Sequence, residues 1–366
     1  MKIECVKSKI TDLVSKIEKI SGKNQNLPIL SCLLLKVENG NLFINATNLD
    51  LGVKGSFPVR VFMEGRVAVP AGVLGGFLSQ LPDGGNILFE IVGGNLVVST
   101  KHTKTIIKTL NSDEFPTIPE AGEGSAVTLP SQDFVKGLQS VWYSSTTSSM
   151  KPELASVCVY GGHKEVVFVA TDSFRLAEKK VLVKKPADFQ NILIPFKNVV
   201  DIIRVFDGYK GDLEIMVGKN QVSFSGSGLY VVSRIVEGTF PDYQQIMPQE
   251  FKTEVVLLKQ DLVSALKISN IFSGSFHQTG FKMIPAKKVF EVTSESAHVG
   301  KNTIQFDAVL KGEELMINFN HRYIIDCFQS IPSDSIMLGF NGIHKPLVLR
   351  GVGDKSFTYL VMPMNK

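Results

Sequence analysis

Ile194-Pro195-Phe196-Lys197-Asn198-Val199-Val200-Asp201-Ile202-Ile203-Arg204-Val205-Phe206 is the stretch on which the fold turns. A short apolar run ends at a proline. Behind it, Val199, Ile202, Ile203 and Phe206 recur at helical spacing, so the segment reads as a strand feeding an amphipathic helix. The pattern occurs twice more, as Val69-Pro70-Ala71-Gly72-Val73-Leu74-Gly75-Gly76-Phe77-Leu78-Ser79-Gln80-Leu81 and as Phe319-Asn320-His321-Arg322-Tyr323-Ile324-Ile325-Asp326-Cys327-Phe328-Gln329-Ser330-Ile331. The anchors Leu74, Phe77, Leu78, Leu81 and Ile324, Cys327, Phe328, Ile331 fall in register with the first set. Pro70, Pro195 and Asn320 stand about 125 residues apart, the mark of an internal repeat.

Other pieces repeat in the same order. Ile10, Val14 and Ile17 recur as Phe134, Leu138 and Val141, and Gln132-Asp133-Phe134-Val135 recurs as Gln260-Asp261-Leu262-Val263. Asp113-Glu114-Phe115-Pro116 is echoed by Thr239-Phe240-Pro241-Asp242-Tyr243, and Ala46-Thr47-Asn48-Leu49-Asp50-Leu51 by Ala170-Thr171-Asp172-Ser173-Phe174-Arg175-Leu176. Between the helices, runs such as Val166-Val167-Phe168-Val169 have strand composition, and Gly93-Gly94-Asn95, Gly218-Lys219-Asn220 and Gly226-Ser227-Gly228 punctuate them as turns. The fold class is α+β: three repeated units, each a strand-rich sheet with two helices on one face. The units are expected over 1–122, 123–249 and 250–366, with joins near Glu120–Ser125 and Met247–Phe251.

The chain has 366 residues, 44% hydrophobic and 20% charged, with a net charge of +4. That suits a soluble globular protein able to bury cores without staples. Cys5, Cys32, Cys158 and Cys327 lie far apart without zinc spacing and read as buried reduced thiols. The start, Met-Lys-Ile-Glu-Cys-Val-Lys, is charged where a secretory segment would be apolar. The apolar stretch from Leu27 to Leu35 is shorter than the roughly 20 residues of a membrane span. A cytoplasmic location is expected. Phosphate-loop, dinucleotide-binding and nucleophile-elbow motifs are absent, and the six histidines lack ligand spacing. No cofactor, no metal and no catalysis are expected.

The first helix, about Ser8 to Ser21, divides into an apolar stripe (Ile10, Leu13, Val14, Ile17, Ile20) and a face carrying Lys9, Lys16, Lys19 and, just beyond, Lys23. Lys197, Arg204 and Arg322 project from the later helices. Lysines on an amphipathic helix are usually a solvated face, but repetition around an axis would sum their charge into a field for phosphates.

These motifs resemble the bacterial DNA polymerase III β subunit family, the sliding clamps. The resemblance runs through the whole chain, most specifically in Leu27-Pro28-Ile29-Leu30, Ala170 to Ala177, Phe240-Pro241-Asp242-Tyr243 and Val361-Met362-Pro363-Met364. It implies a head-to-tail homodimer, half of a six-unit ring, closed around double-stranded DNA without sequence specificity. It implies processivity for a replicative polymerase, placement by a separate clamp loader, and docking of replication and repair proteins through a short peptide. The hydrophobic peptide cleft would be lined from the central unit by Leu154, Thr171, Ser173, Phe174, Arg175 and Leu176, with Pro241 and Ile246 beyond. From the C-terminal unit it would take Asn320, Tyr323 and Pro346, with Val361, Met362, Pro363 and Met364. Members often carry glycine where this chain has Ser173, and a bulky Phe174 is expected to narrow the cleft lip. Gly72 and Val73 replace basic residues, and the acidic stretch Ser294-Glu295-Ser296-Ala297-His298 is thin. The subunit interface is therefore expected to rely on Phe77 and Ile107 against Ile271 and Phe272. Ser144 to Ser149 is expected to be a polar loop. Other readings of the repeats are a scaffold that binds protein or carbohydrate, and an enzyme with a site assembled from distant residues.

Overall fold

The computed structural model describes residues 1–22, 27–82, 84–120, 122, 124–184, 186–187, 189–248 and 250–364. Ala121, Glu123 and Gln249, which fall in the expected joins, and Lys23 lie outside the described residues. The described α-helices are α1 (Lys7–Ile17), α2 (Ala71–Gln80), α3 (Ser131–Gln139), α4 (Phe196–Phe206), α5 (Lys259–Phe272) and α6 (His321–Asp326). Where one continuous first helix to Ser21 is expected, α1 ends at Ile17 and a 3-10 turn, Glu18–Ile20, completes the segment. None is long and apolar enough to cross a membrane.

Contacts divide the chain into two compact units, Met1–Val135 with Lys197–Ile235, and Lys136–Phe196 with Val236–Lys366. In the first, a five-stranded sheet and an eight-stranded sheet are antiparallel throughout. The longer one joins strand Leu229–Arg234 to strand Leu51–Pro58, with Val231 opposite Val53. In the second unit a nine-stranded sheet joins Arg175–Leu182 to Phe357–Val361, with Ala177 opposite Tyr359, beside a four-stranded sheet. The central repeat thus gives strands to both units. A sheet edge left open would present unpaired N–H and C=O groups. Pairing central-repeat strands with terminal-repeat strands satisfies them, so the sheets run across the repeat boundaries.

The helices bury the faces their spacing dictates. Ile10, Val14 and Ile17 of α1, Leu74 and Leu78 of α2, Val199, Ile202 and Phe206 of α4, and Ile324 with the following Cys327 are all essentially inaccessible. Phe77 and Ile203 stay half-buried, while Val205 is buried as well. At Gly55 a Cβ would meet the ends of the Leu13 and Ile17 side chains, so glycine lets those side chains lie directly on that strand. All four cysteines are free and buried. Burial pushes the Cys5 and Cys158 thiols up to about 12.

Candidate functional site

The site grows from a turn that the sequence repeats. In Thr171–Arg175 the Thr171 hydroxyl donates to the Arg175 carbonyl at 2.7 Å. One Asp172 carboxylate oxygen accepts the N–H groups of Phe174 and Arg175, each at 3.0 Å. Ser173 is held at φ 77°. Thr47–Leu51 is built the same way: Thr47 donates to Leu51 O at 2.9 Å, Asn48 Oδ1 accepts from Asp50 and Leu51 at 3.0 and 2.8 Å, and Leu49 sits at φ 77°. Asn and Asp close such turns because their short side chains reach the backbone two and three residues on.

The second copy differs in what it carries. Asp172 has a second oxygen, and Arg175 Nε donates to it at 3.0 Å. The same guanidinium donates to the Tyr143 carbonyl at 2.7 Å, pairs closely with Asp326, and stacks 4.7 Å from the centre of the Tyr323 ring. Burial opposes the Arg175 charge, but Tyr359, Asp326 and Asp172 more than offset it and hold the guanidinium above its ordinary value. A cation so enclosed by acceptors has one orientation. Phe174, 60% exposed, lies in a stacked arrangement on Tyr323 with ring centres 6.5 Å apart.

A cleft of about 320 Å³ opens beside this turn. Of the expected residues, Leu154, Thr171, Ser173, Phe174, Arg175, Leu176, Pro241, Ile246 and Met362 line it. Asn320, Tyr323, Pro346, Val361, Pro363 and Met364 are not among its lining residues. One of these, Val361, is a correction of side-chain direction. Val361 is fully buried, because on a strand its neighbour Leu360 and the following Met362 take the cleft side. Pro346 is buried ahead of strand Leu347–Gly351. Asn320 caps α6, its side-chain oxygen accepting from Arg322 N at 3.0 Å. Met364 N donates to Asn318 O at 2.8 Å.

Lys151, Glu153, Asp242, Tyr243 and Leu360 also line the cleft and are missing from the sequence reading. Asp242 and Tyr243 lie inside the quoted Phe240–Tyr243 motif, and Leu360 stands two residues before Met362, so a period-two count would have found it. Nothing in the sequence marks Lys151 or Glu153. The wall is pinned from behind: Tyr243 donates to the buried Glu178 carboxylate at 2.6 Å, and Tyr160 meets the Tyr243 hydroxyl at 2.7 Å. Burial, then the Glu178 charge, pushes the Tyr243 phenol far up. It stays a neutral donor.

The basic residues fare unequally. Lys9, Lys19, Lys197 and Arg322 are exposed and hold no ion pair among the described residues. Lys16 is paired with Asp12 at 3.2 Å and Arg204 with Asp201 at 2.5 Å, which blunts their charge. At the expected interface Ile271 is 63% exposed and Phe272 half-buried. Ile107 is a correction: it is 3% exposed and faces the core, whereas Ile106 is 64% exposed. Strand alternation puts only one of the two outside. Glu295 of the thin acidic stretch pairs with Lys301 at 3.2 Å. Within the expected polar loop, Ser144 and Ser145 are buried, Ser145 donating to Ser156 O at 3.2 Å. Among the described residues no cluster of His, Cys, Asp and Glu could hold a metal ion.

The fold is that of a DNA sliding clamp. The crystal structure of the DNA polymerase III beta subunit of Thermotoga maritima superimposes with a TM-score of 0.94 at 26% identity, covering 100% of this chain and 99% of that one. A Pseudomonas aeruginosa sliding clamp, solved bound to griselimycin, gives 0.95 at 20% identity with 100% of both chains covered, and speaks for the fold alone. A beta sliding clamp of Synechocystis is 25% identical across 100% of this chain and 99% of its own. Models of the N-terminal, central and C-terminal domains of the DNA polymerase III beta subunit match residues 1–119, 128–242 and 244–365. The chain belongs to the DNA polymerase III beta subunit family, the sliding clamps of DNA replication.

Proposed function

We propose that two copies of this chain close head to tail into a six-unit ring around duplex DNA. The ring performs no reaction. It tethers the replicative polymerase and other replication or repair proteins, and a separate clamp loader opens and places it. The observation that carries this reading is the succession of three clamp-domain matches, in order, along the chain. A head-to-tail interface between such chains forms a closed ring only when its rotation closes, here after two.

Exposed Lys9, Lys19, Lys197 and Arg322 supply the phosphate-facing charge, with Lys16, Lys23 and Arg204 contributing less or outside the described residues. Phosphate contacts attract any duplex and let it slide, which suits a tether without sequence preference. Residues 1–122, 123–249 and 250–366 serve as the three units. Ile106, in place of Ile107, joins Phe77 against Ile271 and Phe272 at the subunit contact. The cleft takes a short apolar peptide: Leu154, Leu176, Ile246, Leu360 and Met362 offer apolar wall. Methionine re-packs around different side chains, which lets one cleft serve several partners.

Light scattering over a dilution series tests closure, and loading onto nicked circular DNA tests encirclement. A mass near twice 40.2 kDa, and retention on circles that is lost when they are cut, are expected. A monomer persisting at high concentration, or retention indifferent to linearisation, would overturn the ring.

A further inference from the structure

The C-terminal end of α5 and the segment after it carry apolar side chains in the open. Ile271 is 63% exposed and Phe276 75%, and Ile268, one helical turn before Ile271, is exposed as well. Exposed apolar side chains this close together suit a contact surface. Neither a helix end nor a short connection holds such a face by itself. One buried ring ties the two together. His321, the first residue of α6, is 1% exposed. Its Nδ1 lies 2.8 Å from the His277 carbonyl oxygen, which also accepts the His321 backbone N–H at 3.0 Å. Its Nε2 lies 2.8 Å from the Asn270 side-chain oxygen. A carbonyl only accepts, so Nδ1 carries the proton. The His277 ring stands edge-on to His321 with centres 5.4 Å apart, and His277 is held at φ 54°. Asn270 borders Ile271 in the chain, and His277 borders Phe276.

We infer that His321 is a positioning residue for the subunit contact: uncharged, it joins Asn270 to His277 and so holds Ile271 and Phe276 as one apolar face for a second copy of this chain. The inference rests on the reading above that Ile271 meets a second copy. The neutral ring takes an N–H from the Asn270 amide turned over, because Nε2 then has only a lone pair to offer. A charged ring would have to shed its water in a closed site. The charged groups near it are Arg322 on α6 and His277 across from it, and both oppose a proton on the ring. On α5, Lys267 is exposed. Burial first, then His277 and Arg322, hold the imidazole below its ordinary value of 6.5, and the bond to the His277 carbonyl offsets only part of this. The unfolded segment therefore takes up this proton before the folded one. The tie is intact above the ordinary value and is lost as pH falls below it.

The test is the dimer dissociation constant of the full-length protein, read by light scattering over dilution series at pH 8 and pH 5.5. The unaltered protein is expected to associate at least tenfold more weakly at pH 5.5. His321→Asn keeps an amide N–H for the His277 carbonyl and does not titrate, so its constant is expected to change less than threefold between the two values. Hydrogen exchange of residues 271–277 in the unaltered protein, corrected for the intrinsic effect of pH, needs no variant and is expected to speed up at least tenfold at pH 5.5. A dimer whose constant is flat with pH, exchange that does not change, or a His321→Asn dimer that weakens tenfold like the unaltered one overturns the positioning role and leaves the ring standing. A protein that stays monomeric at both pH values and at high concentration overturns the ring itself, and this inference falls with it.

Discussion

The backbone N–H of Met362 donates to the carbonyl of Phe174 at 2.8 Å. That bond extends the ladder in which Val361 lies opposite Arg175 and Leu360 opposite Leu176. Residues nearly two hundred positions apart in sequence thereby form one continuous wall. The cleft is a consequence of the shared sheet: turn Thr171–Arg175 and the end of strand Phe357–Val361 are neighbours because their strands pair.

Arg175 should be the costliest single residue to remove from this region. Its side chain is 12% exposed and contacts Asp172, Asp326 and the Tyr143 carbonyl. Arg175→Met leaves one oxygen of Asp172, the Asp326 carboxylate and the Tyr143 carbonyl without this donor, at about 2–4 kcal/mol. Calorimetry should show the melting temperature falling by on the order of 5 °C. Arg175→Lys should recover only part of it, since an ammonium lacks the planar fork.

Ser173 holds a left-handed conformation that costs an L-residue about 1–2 kcal/mol. Ser173→Gly should be close to neutral, because relief of that strain is offset by glycine's greater unfolded-state freedom, about 0.5–1 kcal/mol. Ser173→Val, branched at Cβ, should be clearly destabilising in urea titrations. Equal stabilities for the two variants would mean the turn does not hold this conformation in solution.

Subunit association should respond to Ile106 and not to Ile107 in the same way. Ile106→Asp and Ile271→Asp place a charge on exposed apolar positions, so each should give folded protein near 40.2 kDa by light scattering. Ile107→Asp puts the charge into a core and should lower expression and melting temperature instead.

The thiols give a pH dependence with a definite sign. Burial raises Cys5 and Cys158 from 9.0 to about 12 in the folded state. Their contribution to stability is complete below the unfolded value and is lost as pH rises from about 9 toward 12, because the unfolded chain releases these protons first. Melting temperature should decline across that window, less steeply in Cys158→Ala. A thiol reagent at pH 8 should label the native protein slowly and the denatured protein at four cysteines. Rapid labelling of the native protein would contradict the burial.

Much of this was legible beforehand because it is local. Helical spacing marked the buried faces of α1, α2 and α4, and Thr171–Arg175 echoes Thr47–Leu51 in sequence as it does in its hydrogen bonds. What local pattern leaves open is side-chain direction and pairing. Strands turn Ile107 and Val361 to the interior, and helical geometry pairs Lys16 with Asp12 and Arg204 with Asp201.

The sequence alone determined the repeat, the α+β class and the family, since periodicity and motif order are properties of a one-dimensional string. Tertiary structure decided which central-repeat strands pair with each terminal repeat, that Arg175 meets Asp326 while Leu51, its counterpart, meets no such charge, and that Phe174 rests on Tyr323. Those outcomes depend on strand register and long-range packing. A one-residue change in register turns every side chain to the opposite face, and no local pattern records it.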